Sequence, residues 1–198
     1  MAIFSGSMTY LRFSVLGSLP NQIVGHFEKV LSVRRFIPLH PEGRDTETSG
    51  WVPLNTPYLD DAPLLSEQFL FGERVVLGYR EDKLSIPKPL LKDLVEKRLR
   101  EFPDKNRQML EEIVVSELRQ RILPKSRVID VLWDLSRSEL RLFGRGQGVL
   151  ERFERLFEQT FHLQLKQLTY PEIAQASQVS LRSKGILENL SETVIFGT

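Results

Sequence analysis

From Met8 to Leu16 the chain alternates, with Leu11, Phe13 and Val15 on one parity and Tyr10, Arg12 and Ser14 on the other. That period of two predicts a strand with one face buried. Gly17 and Pro20 end it, and Asn21 offers an N-cap for a helix reaching about Leu31. Ile23, Val24, Phe27, Val30 and Leu31 form that helix's apolar stripe. Phe36-Ile37-Pro38-Leu39 predicts a short second strand. From Pro41 to Ser66 the pattern lapses into Pro, Asp, Glu, Thr and Gly, a long loop around a small Trp51-Val52 anchor. Loops of that length inside a domain are uncommon and often functional or mobile.

The second half is more regular. Arg74 to Tyr79 reads as a strand, and Ile86-Pro87 opens a helix, proline being tolerated in a first turn. In that helix Leu90, Leu91, Leu94, Val95, Leu99 and Phe102 share one arc. Lys92, Asp93, Glu96, Lys97 and Arg100 lie opposite, with Lys88 on the border and the stem of Arg98 snorkelling from the apolar side. Pro103-Asp104 breaks the helix, and a second runs from about Arg107 to Leu123 before Pro124. Arg127–Leu135 and Glu139–Phe143 predict a hairpin, Val149–Phe161 a helix and Leu163–Thr169 a last strand. The order β-α-β, loop, β-α-α-β-β-α-β mixes strands and helices without strict alternation. It predicts an α+β fold of mixed or antiparallel sheets with packed helices, arranged as two similar strand–helix–strand halves. Residues 1–169 form the domain and 170–198 a polar tail that finishes on Val194-Ile195-Phe196.

Composition narrows the classes. At 198 residues with 41% apolar and 27% charged positions, the chain can bury an ordinary core. It has no cysteine, which excludes disulfides, thiolate metal sites and a cysteine nucleophile. The opening residues show neither a basic nor an apolar leader region, and no apolar run nears the ~20 residues of a membrane span. A cytoplasmic protein is therefore expected. The net charge of +1 conceals a strong segregation along the chain. Residues 1–40 carry a net of +3, 41–82 a net of −6, 83–127 a net of +5 and 128–198 a net of −1. Local fields decide what binds, so the basic segment matters more than the total.

Within and beside that segment, Arg80, Lys83, Lys88, Lys92, Lys97, Lys125 and Arg127 are expected at a strand exit, on one exposed helix face and on the return strand. An antiparallel helix pair would bring both ends of this set to one edge, where phosphates bind through charge. The plain reading is a solvated helix pair supported by i,i+4 pairs such as Glu117–Arg121. Gly144-Arg145-Gly146-Gln147-Gly148 sits between a strand and a helix, and places Arg145 at a helix start. Val149 replaces the third glycine of a dinucleotide fingerprint and no Gly-Lys-Ser/Thr follows, so it reads as a flexible turn in which Arg145 reaches a phosphate. Trp51 and Trp133 are flanked by apolar residues and read as core anchors. That favours backbone contacts over base stacking. Asp60-Asp61, Glu81-Asp82 and the pair Asp130 and Asp134 are the carboxylates a nuclease could use, but no two-metal motif joins them. His26, His40 and His162 are scattered, so no triad is expected. The reading is a non-enzyme with no cofactor and no metal.

Gly50-Trp51-Val52-Pro53 is followed by Val75-Val76-Leu77-Gly78-Tyr79-Arg80-Glu81-Asp82-Lys83, then by Ile86-Pro87-Lys88-Pro89-Leu90-Leu91-Lys92. Leu123-Pro124-Lys125 and Trp133-Asp134 complete the series. In that order and spacing the blocks resemble the RdgC family of bacterial recombination-associated proteins, over roughly Met1 to Leu168. The resemblance implies a nucleoid-associated protein that binds duplex, and in some settings single-stranded, DNA without sequence preference and limits recombinase access to it. It also implies a dimer closing into a ring with a positive central hole. Relatives carry roughly another hundred residues after the region matching Leu168, so a C-terminally reduced member is expected here. The stretch from Pro103 to Arg127 also departs from the family pattern. A homodimer using the Val194-Ile195-Phe196 tail, with DNA and a recombinase or other protein as partners, follows as the expectation. The rival reading, from a different class, is a protein-interaction module without DNA binding. Its contacts would be that tail and the acidic loop of Glu42, Asp45, Glu47, Asp60 and Asp61.

Overall fold

The structure, a computed structural model, describes residues 9–144, 146–169 and Glu172. Along the chain run β1 (Leu11–Leu16), α1 (Ile23–Val33), β2 (Glu47–Val52), α2 (Ser66–Phe69), β3 (Leu70–Phe71) and β4 (Arg74–Lys83). They are followed by α3 (Lys88–Glu101), α4 (Arg107–Arg121), β5 (Lys125–Asp134), β6 (Glu139–Leu142), α5 (Gln147–Phe161) and β7 (Gln164–Gln167). The fold is α+β. One sheet holds the strands in the order β2-β4-β5-β6-β1-β7, with β3 added beside β4. Every ladder between the described strands is antiparallel. β4, β5 and β6 stand between β1 and β2, so the two strand–helix–strand segments share one sheet.

One face of that sheet carries the core. Val75, Leu77 and Tyr79 of β4 stand opposite Trp133, Val131 and Ile129 of β5. Phe13 of β1, Leu140 and Leu142 of β6 and Trp51 of β2 continue the same layer. Helices α1 and α5 cover it. Phe27 and Leu31 are buried from α1, and Val149, Phe153, Leu156, Phe157 and Phe161 from α5. Those α5 positions recur at steps of four, three, one and four, so a single stripe of the helix faces the sheet. The rings interlock: Trp133 lies 5.4 Å from Phe27, 5.3 Å from Phe157 and 5.2 Å from Phe161. Both tryptophans are core anchors, as their flanks suggested. Trp51 Nε1 donates to Thr160 Oγ1 at 2.8 Å, which in turn donates to the Leu156 carbonyl at 2.6 Å.

Two sequence expectations need correction. The strand at Phe36–Leu39 is reduced to a single parallel bridge, Arg35 with Trp51. The strand lies instead inside the supposed loop, as β2. Its residues Glu47-Thr48-Ser49-Gly50 show no apolar alternation, because they pair with the charged end of β4 and form the sheet edge. Gly50 is required there. A Cβ would stand 2.5 Å from the Phe36 backbone nitrogen and Cα, which approach to close the Phe36 N–H bond to the Trp51 carbonyl at 2.9 Å. β4 also runs four residues past Tyr79, to Lys83.

Helices α3 and α4 pack together on a small second core of Val95, Val114 and Leu118, with Leu91, Leu94 and Leu99 against it. Leu90 and Phe102, expected on the same arc, remain exposed. Arg98 does more than snorkel: its guanidinium bonds Glu117 of α4 at 2.8 Å, which takes Glu117 from the expected partner Arg121. Among the described residues no helix is long and apolar enough to cross a membrane. The expected tail contact at Val194-Ile195-Phe196 lies outside the described residues.

Candidate nucleic-acid interface

The ten-residue ladder between β4 and β5 fixes the geometry of the basic segment. Its register sets Lys83 directly opposite Lys125 and Glu81 opposite Arg127. These residues fall on the parity of Tyr79 and Ile129, so they extend the core-facing side of the sheet past the end of the core. Like charges directly across a ladder destabilise it. Here Glu47 of β2, opposite Lys83 on the other side, forms an ion pair with the Lys83 ammonium. That hydrogen bond and charge hold the Glu47 carboxyl below the usual carboxylate range.

The first turns of α5 close the other side. Arg152 Nε donates to Glu81 Oε1 at 2.8 Å, and the Tyr79 hydroxyl donates to the same oxygen at 2.7 Å. Burial first, then the adjacent Glu81 carboxylate, push the Tyr79 phenol above its ordinary range. The result is a groove of about 340 Å³ at the sheet's end, between the edge of β2 and α5. Four cations line it, Lys83, Lys125, Arg127 and Arg152, against Glu47, Glu81 and Asp82. Asp82 is already committed to Arg80, so positive charge is in excess.

Arg80 does not belong to this surface, and its place among the DNA contacts is a correction. It lies on the opposite parity, 6% exposed, beneath the loop after β2. Its Nε and Nη2 donate to the two oxygens of Asp82 at 3.0 and 2.8 Å, and Nη1 donates to Asp60 at 2.8 Å. The guanidinium also sits 4.0 Å from the centre of the Phe36 ring. With all three nitrogens engaged and the side chain buried, it is held in a structural ion pair away from the groove. The sequence showed a cation at a strand exit, but not which face it took.

The helix residues separate as well. Lys88 and Lys92 are four apart on α3 and share a side, whereas Lys97 stands roughly 180° from Lys88 at 3.6 residues per turn. Lys97 lines a furrow between α3 and α4 with Arg98 and Arg121. The single lysine face expected on this helix is therefore two faces. Lys125 and Arg127 do meet Lys83 at one edge, as an antiparallel α3–α4 pair requires. Arg145 lies outside the described residues. Beside it Gly146, the residue before α5, has φ of +108°, a conformation that requires glycine.

The acidic loop is largely tied down. Glu47 and Asp60 are spent on Lys83 and Arg80. Arg119 of α4 donates to the backbone carbonyls of Pro41, Arg44 and Asp45, which clamps the loop to the helix. Most of the carboxylates a nuclease could use are already engaged by other groups. Asp60, Glu81 and Asp82 are in ion pairs. Asp134 accepts from Ser136 and from the Arg137 backbone, and Asp130 is buried. Among the described residues no three His, Asp or Glu side chains are placed to hold a metal ion.

The interface also contains cations that the sequence did not single out. Arg152 and Arg155 of α5 and Arg34 and Arg35 after α1 lie far apart in the chain, the first pair in a segment of net −1 and the second in one of net +3. Only their meeting across the edge strand marks them. No protein-family model and no curated protein matches this chain.

Proposed function

We propose that this chain binds DNA along its phosphate backbone, without reading base sequence, and thereby limits the access of a recombinase, as its resemblance to the RdgC family implies. The observation that carries this reading is the groove at the end of the sheet. There, Lys83, Lys125, Arg127 and Arg152 converge from three elements with an excess of positive charge. Fixed cations on rigid strands attract a polyanion and release its counterions, an affinity that requires no base contact. Core burial of Trp51 and Trp133 leaves them unable to stack on bases, which favours backbone recognition. The rival reading, a protein-binding acidic loop, is weakened because two of its five carboxylates, Glu47 and Asp60, are already paired with Lys83 and Arg80.

The test is fluorescence anisotropy with a random-sequence duplex. Four phosphate contacts, reached only if Lys83 and Arg152 exchange Glu47 and Glu81 for phosphate, set an upper limit of about −3.6 on the log–log salt slope, or about a hundredfold loss of affinity between roughly 50 and 200 mM salt. Lys83→Glu with Lys125→Glu should abolish binding while the far-UV spectrum is retained. A folded double variant that binds as tightly as the wild type removes the groove from the reading.

A further inference from the structure

A second basic recess lies across the edge strand from the groove. Its walls are the end of α1, the segment bridged to β2, and the outer side of α5. Arg34, Arg35, Arg152 and Arg155 line a cleft of about 350 Å³, and no carboxylate lines it. On α5, Arg152, Arg155 and Gln159 recur at steps of three and four and so share one side of the helix. Arg34 and Arg35 face them from a pinned backbone. The Trp51 N–H donates to the Arg34 carbonyl at 3.1 Å and the Phe36 N–H to the Trp51 carbonyl at 2.9 Å. The backbone that carries the two arginines is thus fixed by the sheet.

A commonplace explanation exists for part of this. Arg34 follows the last turn of α1, where a cation is favoured by the helix dipole. That accounts for Arg34 and leaves Arg35 and Arg155 without a structural purpose. Arg152 is paired with Glu81, but on the groove side. Three further guanidiniums around one cleft repel one another unless an anion enters. The arginine fork matches phosphate oxygens bidentately, and a fixed backbone beneath Arg34 and Arg35 reduces part of the ordering cost of binding. Val33 and Ile37, exposed apolar side chains, line the same cleft and supply a wall for the organic part of a phosphoester.

We propose that this cleft is a phosphate-binding site, taking the phosphate of a phosphoester or polyphosphate chain through Arg34, Arg35, Arg155 and Arg152. Thr48, Ser49 and Arg152 line both the cleft and the groove, so the two are contiguous. The phosphate therefore has two candidate sources, the DNA backbone continuing out of the groove or a free polyphosphate. The site does not depend on the DNA reading.

The experiment compares wild type with Arg34→Ala/Arg35→Ala/Arg155→Ala, all three positions being exposed. One arm is calorimetric titration with inorganic tripolyphosphate, the other the duplex anisotropy assay across salt. The triple variant should keep the wild-type far-UV spectrum. It should lose tripolyphosphate affinity at least tenfold or, where the duplex occupies the cleft as well as the groove, remove the roughly 2.7 of salt slope that three contacts add to the groove's own. Loss in the first arm with no DNA binding by the wild type assigns the site to a free polyphosphate and ends the DNA reading alone. Loss in the DNA arm only assigns it to the nucleic-acid backbone. A triple variant that matches the wild type in both arms, or a wild type that binds neither probe, overturns the site. Arg→Lys at the same three positions should restore charge but only part of the affinity, because lysine lacks the fork.

Discussion

Replacing Arg80 with Met tests whether this cation is a structural strut or a DNA contact. Asp82 is 2% exposed and takes two parallel hydrogen bonds from Arg80. Removing the guanidinium leaves a buried carboxylate unpaired, which costs about 3–5 kcal/mol. Loss of the half-exposed Asp60 pair adds about 0–1 kcal/mol. The contact over the Phe36 ring is worth up to about 2 kcal/mol, part of which the methionine's apolar chain retains. Against a typical total of about 5–15 kcal/mol, the variant folds but is severely weakened. With a urea m-value of about 2 kcal/mol/M, the midpoint should fall by roughly 2 M. Fluorescence of the two buried tryptophans reports the transition. Arg80→Met combined with Asp82→Leu should recover most of the loss, since an apolar replacement of a buried pair is close to neutral. A single variant that loses less than about 1 kcal/mol while its DNA affinity drops would refute the reasoning and return Arg80 to the interface.

Gly50→Ala should destabilise by about 1–3 kcal/mol or more, because its Cβ would collide with the Phe36 backbone; Gly25→Ala, with nothing within 4 Å, should be stabilising by up to about 1 kcal/mol. Urea midpoints measure both, and equal midpoints for the two variants would contradict the close approach at β2. Burial raises the Glu139 carboxyl pKa, but hydrogen bonds from Arg12 and Arg141 outweigh it, so the folded-state value is lowered. Its stabilising contribution is therefore complete above the unfolded carboxylate pKa and is lost as pH falls through the folded value. Glu139→Gln should lower Tm at pH 7 and converge with the wild type once the pH has fallen below the lowered folded-state value; a Tm difference independent of pH would disprove it. Labelled linear DNA incubated with Mg²⁺ or Mn²⁺ should release no nucleotides above background, and release abolished by Asp130→Asn or Asp134→Asn would reverse the non-enzyme reading.

What the sequence determined by itself is where local period is strong. The alternation in β1 and the β5–β6 hairpin, the wide stripe of α5 and the proline start of α3 are written in consecutive residues, because each element buries one face of itself. The tryptophans were readable as core for the same reason. The strand β2 was not readable. Glu47-Thr48-Ser49-Gly50 has no apolar alternation, and becomes a strand only because the charged end of β4 offers it a ladder and Gly50 admits the Phe36 backbone. The site divided along the same line. The basic character of residues 83–127 is local and legible, and the meeting of Lys83 with Lys125 followed from expecting an antiparallel helix pair between two strands. Tertiary structure alone decided which cations reach solvent. One residue of register sends Arg80 beneath the loop to Asp82 and Lys83 to the groove, since successive side chains of a strand take opposite faces. It alone assembled the arginine cleft, because Arg34 and Arg35 meet Arg152 and Arg155 only where a polar edge strand holds two distant helices at the same end of the sheet.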